Sequence, residues 1–88
     1  MKVVVIYTKD ARKDLRGLEI KTVRKIITKI KYFSELEAVL KHAKKLKAPF
    51  EGLWRFRIGN YRAIFEIDNK GNITILVILS IKHRKDIY

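Results

Sequence analysis

Cysteine is absent from the sequence, and little else in the composition is suited to holding a metal. Without cysteine there are no disulfide frameworks and no thiolate ligands, and two isolated histidines do not build a zinc centre by themselves. We therefore expect no metal and no other cofactor. A chain without cysteine is also typical of a reducing compartment, so we expect the protein to be cytoplasmic.

Long hydrophobic runs are absent as well. The longest largely apolar stretch, residues 73–81, is about half of the roughly 20 residues that a membrane-spanning helix requires. No basic segment followed by an apolar core and a cleavage site opens the chain. Trp54, Phe56 and Phe65 fall in strand-like segments rather than on an amphipathic helix, so we expect no membrane partner.

Acidic residues are few, because 9 Asp and Glu stand against 21 Lys and Arg, which gives a net charge of +12 on 88 residues. This length fits a single domain spanning residues 1–88 and excludes dehydrogenase and kinase architectures. With 48% hydrophobic residues, the chain is not a disordered polybasic tail. A positive excess of this size attracts polyanions, so the expected partner is RNA, DNA or an acidic protein.

The first third of the chain predicts a strand followed by two helices. Residues 2–7 are β-branched and aromatic, as in a buried strand, and Thr8 is a suitable N-cap for a helix that carries Ala11 and Leu15. From Ile20 the apolar residues recur every three or four positions, which predicts the most regular helix of the chain.

The segment that follows is interpreted as helical too. Ser34 and Glu37 have the spacing of a capping box, so residues 36–46 are expected to form a separate helix or a continuation of the preceding one. Pro49 is expected to end it. His42 is interpreted as lying on a solvated helix face, without a chemical role.

Beyond that proline the apolar period becomes two. Residues 53–58 and 61–68 predict strands, and Gly59-Asn60 between them is typical of a type II′ hairpin turn. Residues 73–81 are almost continuously apolar, as in a central strand. We therefore expect an α+β domain, with an antiparallel sheet of about four strands and two or three helices packed on one face.

The turn fixes the register of the hairpin. The predicted pairs are Ile58 with Tyr61, Arg57 with Arg62, Phe56 with Ala63, and Arg55 with Ile64. One face carries the expected core residues Trp54, Phe56, Ile58, Tyr61, Ala63, Phe65 and Ile67, and the other carries Arg55, Arg57, Arg62, Ile64 and Glu66. Like charges on directly opposite residues destabilise a strand pair, and a bound phosphate or carboxylate would relieve that cost. The alternative is a solvated outer face on which Glu66 is a partial counter-ion.

The third hairpin strand extends this basic face. The hydroxyl residues and Lys82 suggest that Thr74, Leu76, Ile78, Ser80 and Lys82 lie on the arginine side, with Ile73, Ile75, Val77, Leu79 and Ile81 in the core. Lys82 would then join the arginines. The following His83 and Arg84, together with Tyr88, are candidates to curl over the same face.

The candidate residues are better suited to stabilising negative charge than to transferring protons. The sequence contains no carboxylate pair at a catalytic spacing, no motif typical of a Ser-His-Asp catalytic triad, no phosphate-binding glycine loop and no metal-ligand cluster. A cationic patch stabilises the phosphorane of metal-free RNA cleavage. Arginine does not deprotonate in proteins, so proton transfer would fall to His83, Tyr88 or Lys82.

Two segments carry a resemblance to a known family. Residues 53–65 (LWRFRIGNYRAIF) and residues 81–88 (IKHRKDIY) resemble the RelE/ParE toxin superfamily. The order of strand, helices and three strands agrees over nearly the whole chain. The resemblance implies a toxin of a toxin–antitoxin pair, with a fold similar to microbial ribonucleases.

The RelE branch of this superfamily cleaves mRNA in the ribosomal A site. The resemblance matches Arg55 and Arg57 to two basic positions of the first hairpin strand, often lysine in that branch, and Arg62 to the arginine of the return strand. It matches Tyr88 to a C-terminal tyrosine tied to catalysis or base stacking, and His83 to a position where some relatives carry histidine. Arg55, Arg57, Arg62, His83 and Tyr88 are thus the candidate catalytic residues, and Lys82 and Arg84 are candidates for substrate binding.

Three functions remain open on this basis. The favoured one is a ribosome-dependent, metal-independent mRNA endoribonuclease that inhibits translation. The second is a ParE-like inhibitor of DNA gyrase without nuclease activity, and the third is a nucleic-acid or ribosome-binding domain that has lost catalysis. In each case the expected partner includes an acidic, RelB-like antitoxin, in addition to the ribosome and mRNA for the first function.

Overall fold

The computed structural model describes residues 2–86. Its elements follow one another in the order β1 (Lys2–Tyr7), α1 (Lys9–Arg16), α2 (Ile20–Glu35), a 3₁₀ turn (Val39–His42), β2 (Ala43–Lys45), β3 (Trp54–Ile58), β4 (Tyr61–Lys70), β5 (Ile73–His83) and a second 3₁₀ turn (Arg84–Asp86). Tyr88, one of the candidate site residues, lies outside the described part of the chain. Among the described residues, no helix is long and apolar enough to cross a membrane.

The strands form one sheet in the order β1-β5-β4-β3-β2. β1 is parallel to β5, and the remaining neighbours are antiparallel. The predicted α+β class and the central position of β5 are confirmed. The sheet is mixed rather than antiparallel throughout, because β1 runs parallel to β5. It has five strands rather than about four, because the short strand β2 pairs with β3 at the edge.

The hydrophobic core lies between the two α-helices and one face of the sheet. Ile26 and Ile30 of α2 are completely buried, together with Phe56, Phe65 and, on β5, Leu76 and Ile78. The ring of Phe56 stacks on those of Phe65 and Phe33, with centroids 4.3 Å and 4.9 Å away. Both helices thus cover the same face, as the sequence predicts, and within residues 2–86 no α-helix lies on the opposite face.

Beyond the end of β1, side chains of α1 and its N-cap form hydrogen bonds with the edge of β5. The predicted N-cap is confirmed, since Thr8 Oγ1 accepts a hydrogen bond from Ala11 N at 3.1 Å. The same hydroxyl donates to the carbonyl of Leu79 at 3.1 Å. Two turns along the helix, Asp14 Oδ2 accepts a hydrogen bond from Ile81 N at 2.9 Å. Side chains of α1 therefore satisfy backbone groups that have no strand partner.

The expectation of a helix over residues 36–46 is wrong. Ser34 is not a cap, because it lies inside α2 and its Oγ donates to the Lys31 carbonyl at 2.7 Å. After α2 the chain makes one 3₁₀ turn and then forms β2, in which Ala43 pairs with Phe56. Pairing with β3 packs the partly buried Ala43 against the core, which a short isolated helix would not do. Pro49 consequently lies in the loop between β2 and β3.

The predicted faces of β5 are correct at one end and wrong at the other. Ile64 pairs with Ser80, but Phe65 pairs with Ile78, so Leu79 is an extra residue in the ladder. Such a bulge reverses the alternation of faces beyond it. Ile81 faces the core and Lys82 the arginine side, as expected. Thr74, Leu76 and Ile78 lie on the helix side instead, and Ile73, Ile75 and Val77 lie on the opposite face.

Replacing the central aromatic ring tests this core. We expect Phe56→Ala to lower the free energy of unfolding by about 3–5 kcal/mol, because it removes a completely buried ring that stacks on two others. Phe50→Ala is the matched control, since Phe50 is 48% exposed. Urea denaturation of both variants measures the difference, and equal losses in the two would contradict the described packing.

The alkaline stability of the fold depends on Tyr7. Burial raises the pKa of Tyr7 to about 12, whereas an unfolded tyrosine ionises near pH 10. Above about pH 10 the tyrosine ionises in the unfolded state but stays protonated in the folded state. The contribution of Tyr7 to the free energy of unfolding is therefore complete below that pH and is lost as the pH approaches 12. We expect Tyr7→Phe to flatten the fall in unfolding free energy within this window.

Denaturation by urea at a series of pH values measures that slope. Tyr32→Phe is the control, because Tyr32 is 53% exposed and its replacement should leave the slope as in the parent chain. A slope that responds equally to the two substitutions would show that Tyr7 is not the group responsible.

Candidate nucleic-acid interface

The face of the sheet opposite the helices carries the predicted arginines in two adjacent rows. All four predicted hairpin pairs are confirmed, and they place Arg57 beside Arg62 and Arg55 beside Ile64. The register of the neighbouring strands extends both rows. The first runs Arg57, Arg62, Lys82, and the second runs Lys44, Arg55, Ile64, Ser80.

A basic groove lies at the edge where β2 meets β3. It has a volume of about 340 Å³ and is lined by Lys41, His42, Ala43, Lys44, Arg55 and Arg57, so that none of its described lining residues is acidic. Lys44 and Arg55 are directly opposite one another on the two strands, which is a repulsive pair without an anion between them. The groove is therefore suited to a negatively charged ligand.

The two arginines of this groove differ in exposure. Arg57 is exposed, whereas Arg55 is partly buried. The Nε atom of Arg55 is fully buried and has no hydrogen-bond partner within the described chain. A buried donor without a partner is costly, so the Nε of Arg55 lowers the stability of the fold around it. Arg55 therefore lines the groove as its less exposed arginine, with its Nε shielded from solvent.

Arg62 is buried, although the sequence predicts it on an exposed basic face. Its residue exposure is only 7%. Its Nη1 donates to the carbonyl oxygens of Gly59 at 3.0 Å and Tyr61 at 2.9 Å. One nitrogen of the guanidinium thus stabilises the hairpin turn, a contact that sequence reasoning missed because it depends on how the side chain folds back over its own turn.

Lys82 lies next to Arg62 and forms an ion pair with Asp14 of α1. Its Nζ is 3.6 Å from Asp14 Oδ2, and its side chain is 45% exposed. The carboxylate that caps the β5 backbone at Ile81 therefore also partly neutralises the outermost cation of the first row. At this exposure the ion pair contributes little to stability.

His83 lies on the other side of the sheet from the arginines. Strand β5 continues through His83, which pairs with Tyr61, and the two rings meet edge to face at 5.3 Å. Tyr61 packs against the core, and strand alternation turns His83 away from Lys82. The expectation that His83 curls over the arginine face is therefore wrong, because the sequence indicates a strand end two residues too early. Its Nδ1 accepts a hydrogen bond from Lys85 N at 3.2 Å.

Arg84 follows in the second 3₁₀ turn and is exposed. Its backbone N–H donates to the Asn60 carbonyl at 2.7 Å, which ties the end of β5 to the hairpin turn. The backbone of Arg84 is thus held beside the hairpin turn. Within residues 2–86, no group of three or more His, Cys, Asp or Glu side chains is arranged to hold a metal ion.

Sequence reasoning missed the residues that β2 brings to the groove. Lys41, His42 and Lys44 join Arg55 and Arg57 only because the chain forms an edge strand there. His42 is exposed, and its ring stacks on Phe33 at 5.7 Å with an interplanar angle of 14°. The basic run 44–47 is the one signal in the sequence that points to this edge.

The chain matches a known protein family over almost its whole length. The sequence model described as the ParE toxin of the type II toxin–antitoxin system, parDE, matches residues 5–88. A search of curated proteins finds no match.

Solved structures with the same fold come from bacteria and archaea. The toxin–antitoxin complex RelBE2 from Mycobacterium tuberculosis matches with a TM-score of 0.72 and 24% identity, over 96% of this chain and 100% of that chain. The chromosomal ParDE system of P. aeruginosa matches with a TM-score of 0.69 and 19% identity, over 92% and 95%.

The archaeal RelE–RelB complex from Pyrococcus horikoshii matches with a TM-score of 0.66 and 19% identity, over 98% of this chain and 99% of that chain. These neighbours share the fold over nearly the whole length of both chains. The neighbours thus show the fold, and the family match over residues 5–88 establishes that this chain belongs to the ParE toxin family of type II toxin–antitoxin systems.

Proposed function

We propose that this toxin inhibits translation by cleaving mRNA in the ribosomal A site, without a metal ion. The observation that carries the proposal is the basic groove, in which Lys44, Arg55 and Arg57 face a common space with no acidic residue in its described lining. Cations aimed at one point stabilise the charge that develops on a phosphorane. The groove is open and lies at the β2 edge of the sheet, where a strand of RNA would have access.

In the proposed cleavage step, the groove binds the scissile phosphate. The 2′-oxygen of the substrate attacks phosphorus, the bond from phosphorus to the 5′-oxygen breaks, and the products are a cyclic phosphate and a 5′-hydroxyl. Arg55 and Arg57 bind the non-bridging oxygens and neutralise the charge of the intermediate, because guanidinium forks match phosphate geometry.

Arg62 supports this pair from the adjacent strand. It lies directly opposite Arg57, so its charge contributes to the field at the groove. Its contacts with the Gly59 and Tyr61 carbonyls hold the hairpin turn in shape and thereby fix the spacing of the two rows. In this proposal Arg62 stabilises the transition state and positions the strand that carries Arg57.

Proton transfer falls to a smaller set of residues than the sequence suggests. One group must take the proton of the 2′-hydroxyl, and another must donate a proton to the leaving 5′-oxygen. His83 is on the opposite side of the sheet, in contact with Tyr61. The remaining candidates are Lys82, which is paired with Asp14 and continues the first row, and Tyr88, which lies outside the described residues.

A second candidate function is inhibition of DNA gyrase. The family match favours it, because the matching sequence model is that of ParE toxins. In this case the basic groove would contact an acidic protein surface or DNA, and Arg55 and Arg57 would have no chemical step to perform. Under either function we propose that an acidic antitoxin neutralises part of the +12 charge.

Removal of one groove arginine tests the nuclease proposal. We expect Arg57→Ala to lower A-site cleavage about 10²-fold to 10³-fold, as for other preorganised donors at a developing oxyanion. Arg57 is exposed, so the substitution should leave the fold intact. The measurement adds purified chain to ribosomes programmed with a defined mRNA and maps the new RNA 5′ ends.

Arg24→Ala provides the matched control, since Arg24 is exposed on α2, on the helix side of the sheet. It should cleave as the parent chain does, and free RNA without ribosomes should remain largely uncut. If the folded parent chain halts growth but makes no A-site cuts, the nuclease proposal fails. Loss of gyrase supercoiling activity in the same preparation would then establish the second candidate.

A further inference from the structure

The loop between β2 and β3 folds back over the arginine side of the sheet. The backbone N–H of Leu46 donates to the Leu53 carbonyl at 3.0 Å, and that of Phe50 donates to Lys47 at 2.9 Å. The loop shields Ile64, which is only 8% exposed although it lies outside the core between helices and sheet. A separate small pocket therefore exists on the same face as the basic groove.

This loop pocket has a volume of about 230 Å³. Its walls are the apolar side chains of Leu46, Phe50, Leu53, Ile64 and Leu79, and its polar groups come from Ser80, Lys82 and Asp86. Pockets that enclose drug-sized molecules measure roughly 300–1,000 Å³. The loop pocket is smaller, and apolar walls with a polar margin suit a single planar ring system.

The loop pocket is adjacent to the groove that would hold phosphate. Its residue Ile64 is the direct neighbour of Arg55 across the β3–β4 ladder, and of Ser80 across the β4–β5 ladder. On its other side it includes Lys82, the last cation of the first row. A nucleotide whose phosphate contacts Arg55 therefore has an apolar pocket one strand away.

We propose that the loop pocket receives one base of the RNA strand whose phosphates lie in the basic groove, with Phe50 as the stacking platform. This inference rests on the proposed RNA substrate and extends it to base recognition. Phe50 is 48% exposed, so a large part of its ring is open to a ligand. Proteins that bind single-stranded nucleic acid combine a cationic track for the backbone with aromatic rings for the bases in this way.

The polar margin favours a base over an apolar side chain of a protein partner. Ser80 donates or accepts a hydrogen bond, Lys82 donates, and Asp86 accepts. The Asp86 carboxylate repels phosphate but accepts hydrogen bonds from the ring and amino groups of bases. The combination of cations on two sides with one acceptor at the margin is complementary to a nucleotide.

The test compares two oligonucleotides of equal length and charge, one carrying bases and one abasic throughout. Each has its 2′-hydroxyls replaced by methoxy groups, so that it cannot be cleaved. Fluorescence anisotropy measures their affinity for the purified chain at low salt. We expect the base-bearing strand to bind about tenfold more tightly, and Phe50→Ala to abolish this preference while leaving affinity for the abasic strand unchanged.

Three variants control the interpretation. Phe50→Tyr retains a ring and should retain the preference, and Tyr32→Ala removes an exposed ring on α2 and should also retain it. Arg57→Ala should weaken both strands equally, because it removes a phosphate contact. Circular dichroism of each variant establishes that it is folded.

Several outcomes would overturn the assignment. These are an equal affinity for both strands, no measurable binding of either, or a preference that survives in folded Phe50→Ala. An acidic peptide whose affinity depends on Phe50, when that of RNA does not, would assign the loop pocket to a protein partner. The binding measurement needs neither ribosomes nor cleavage, so failure of the nuclease proposal appears in the ribosome assay alone.

Discussion

The two-residue turn between β3 and β4 is the constraint on which the site depends. Gly59 adopts a φ of 59° there, a conformation that other residues adopt only with strain. Because the turn sets Ile58 opposite Tyr61, every second side chain of both strands lies on the helix side. The intervening positions place the arginines on the open face, so one tight turn separates the aromatic core from the charged surface.

A second constraint acts at the junction of α1 with β5. β1 ends opposite Ile78, and the rest of β5 would have an open edge. Thr8 and Asp14 satisfy that edge with side-chain hydrogen bonds, and Asp14 also approaches Lys82. A short helix thereby stabilises the part of β5 that carries the basic row. The bulge at Leu79 lies in the same stretch and shifts Leu76 and Ile78 into the core without moving Lys82 from the open face.

The open face contains two chemically different regions separated by one strand. The edge of β2 and β3 provides a groove lined by cations, and the folded loop provides an apolar pocket with a polar margin. An electrostatic groove binds any polyanion and gives little discrimination among sequences. Discrimination among nucleotides requires contacts with the bases, and the loop pocket is placed to make them. Under the proposed function, Arg55 would serve the first task and Phe50 the second.

Local sequence determined the hairpin register, the Thr8 cap, the α2 stripe and the alternation of Arg55 and Arg57 with core residues. Each of these depends on neighbours a few positions away, through turn geometry, capping or periodicity. What the tertiary structure decided involves partners far apart in the chain. Residues 43–45 became an edge strand because β3 was there to pair with, although their apolar spacing resembles that of a helix.

The same contrast between local patterns and contacts of distant residues explains which features of the site the sequence did not predict. The bulge at Leu79 arises from matching β4 to β5 and leaves no sign in a run of apolar residues. The placement of His83 beside Tyr61 follows from the length of β5, which its pairing with β4 determines. The sequence by itself determined which residues are charged and which faces they share on the hairpin. Only the tertiary structure decided which of them meet, because strand pairing and loop packing depend on contacts that local patterns do not encode.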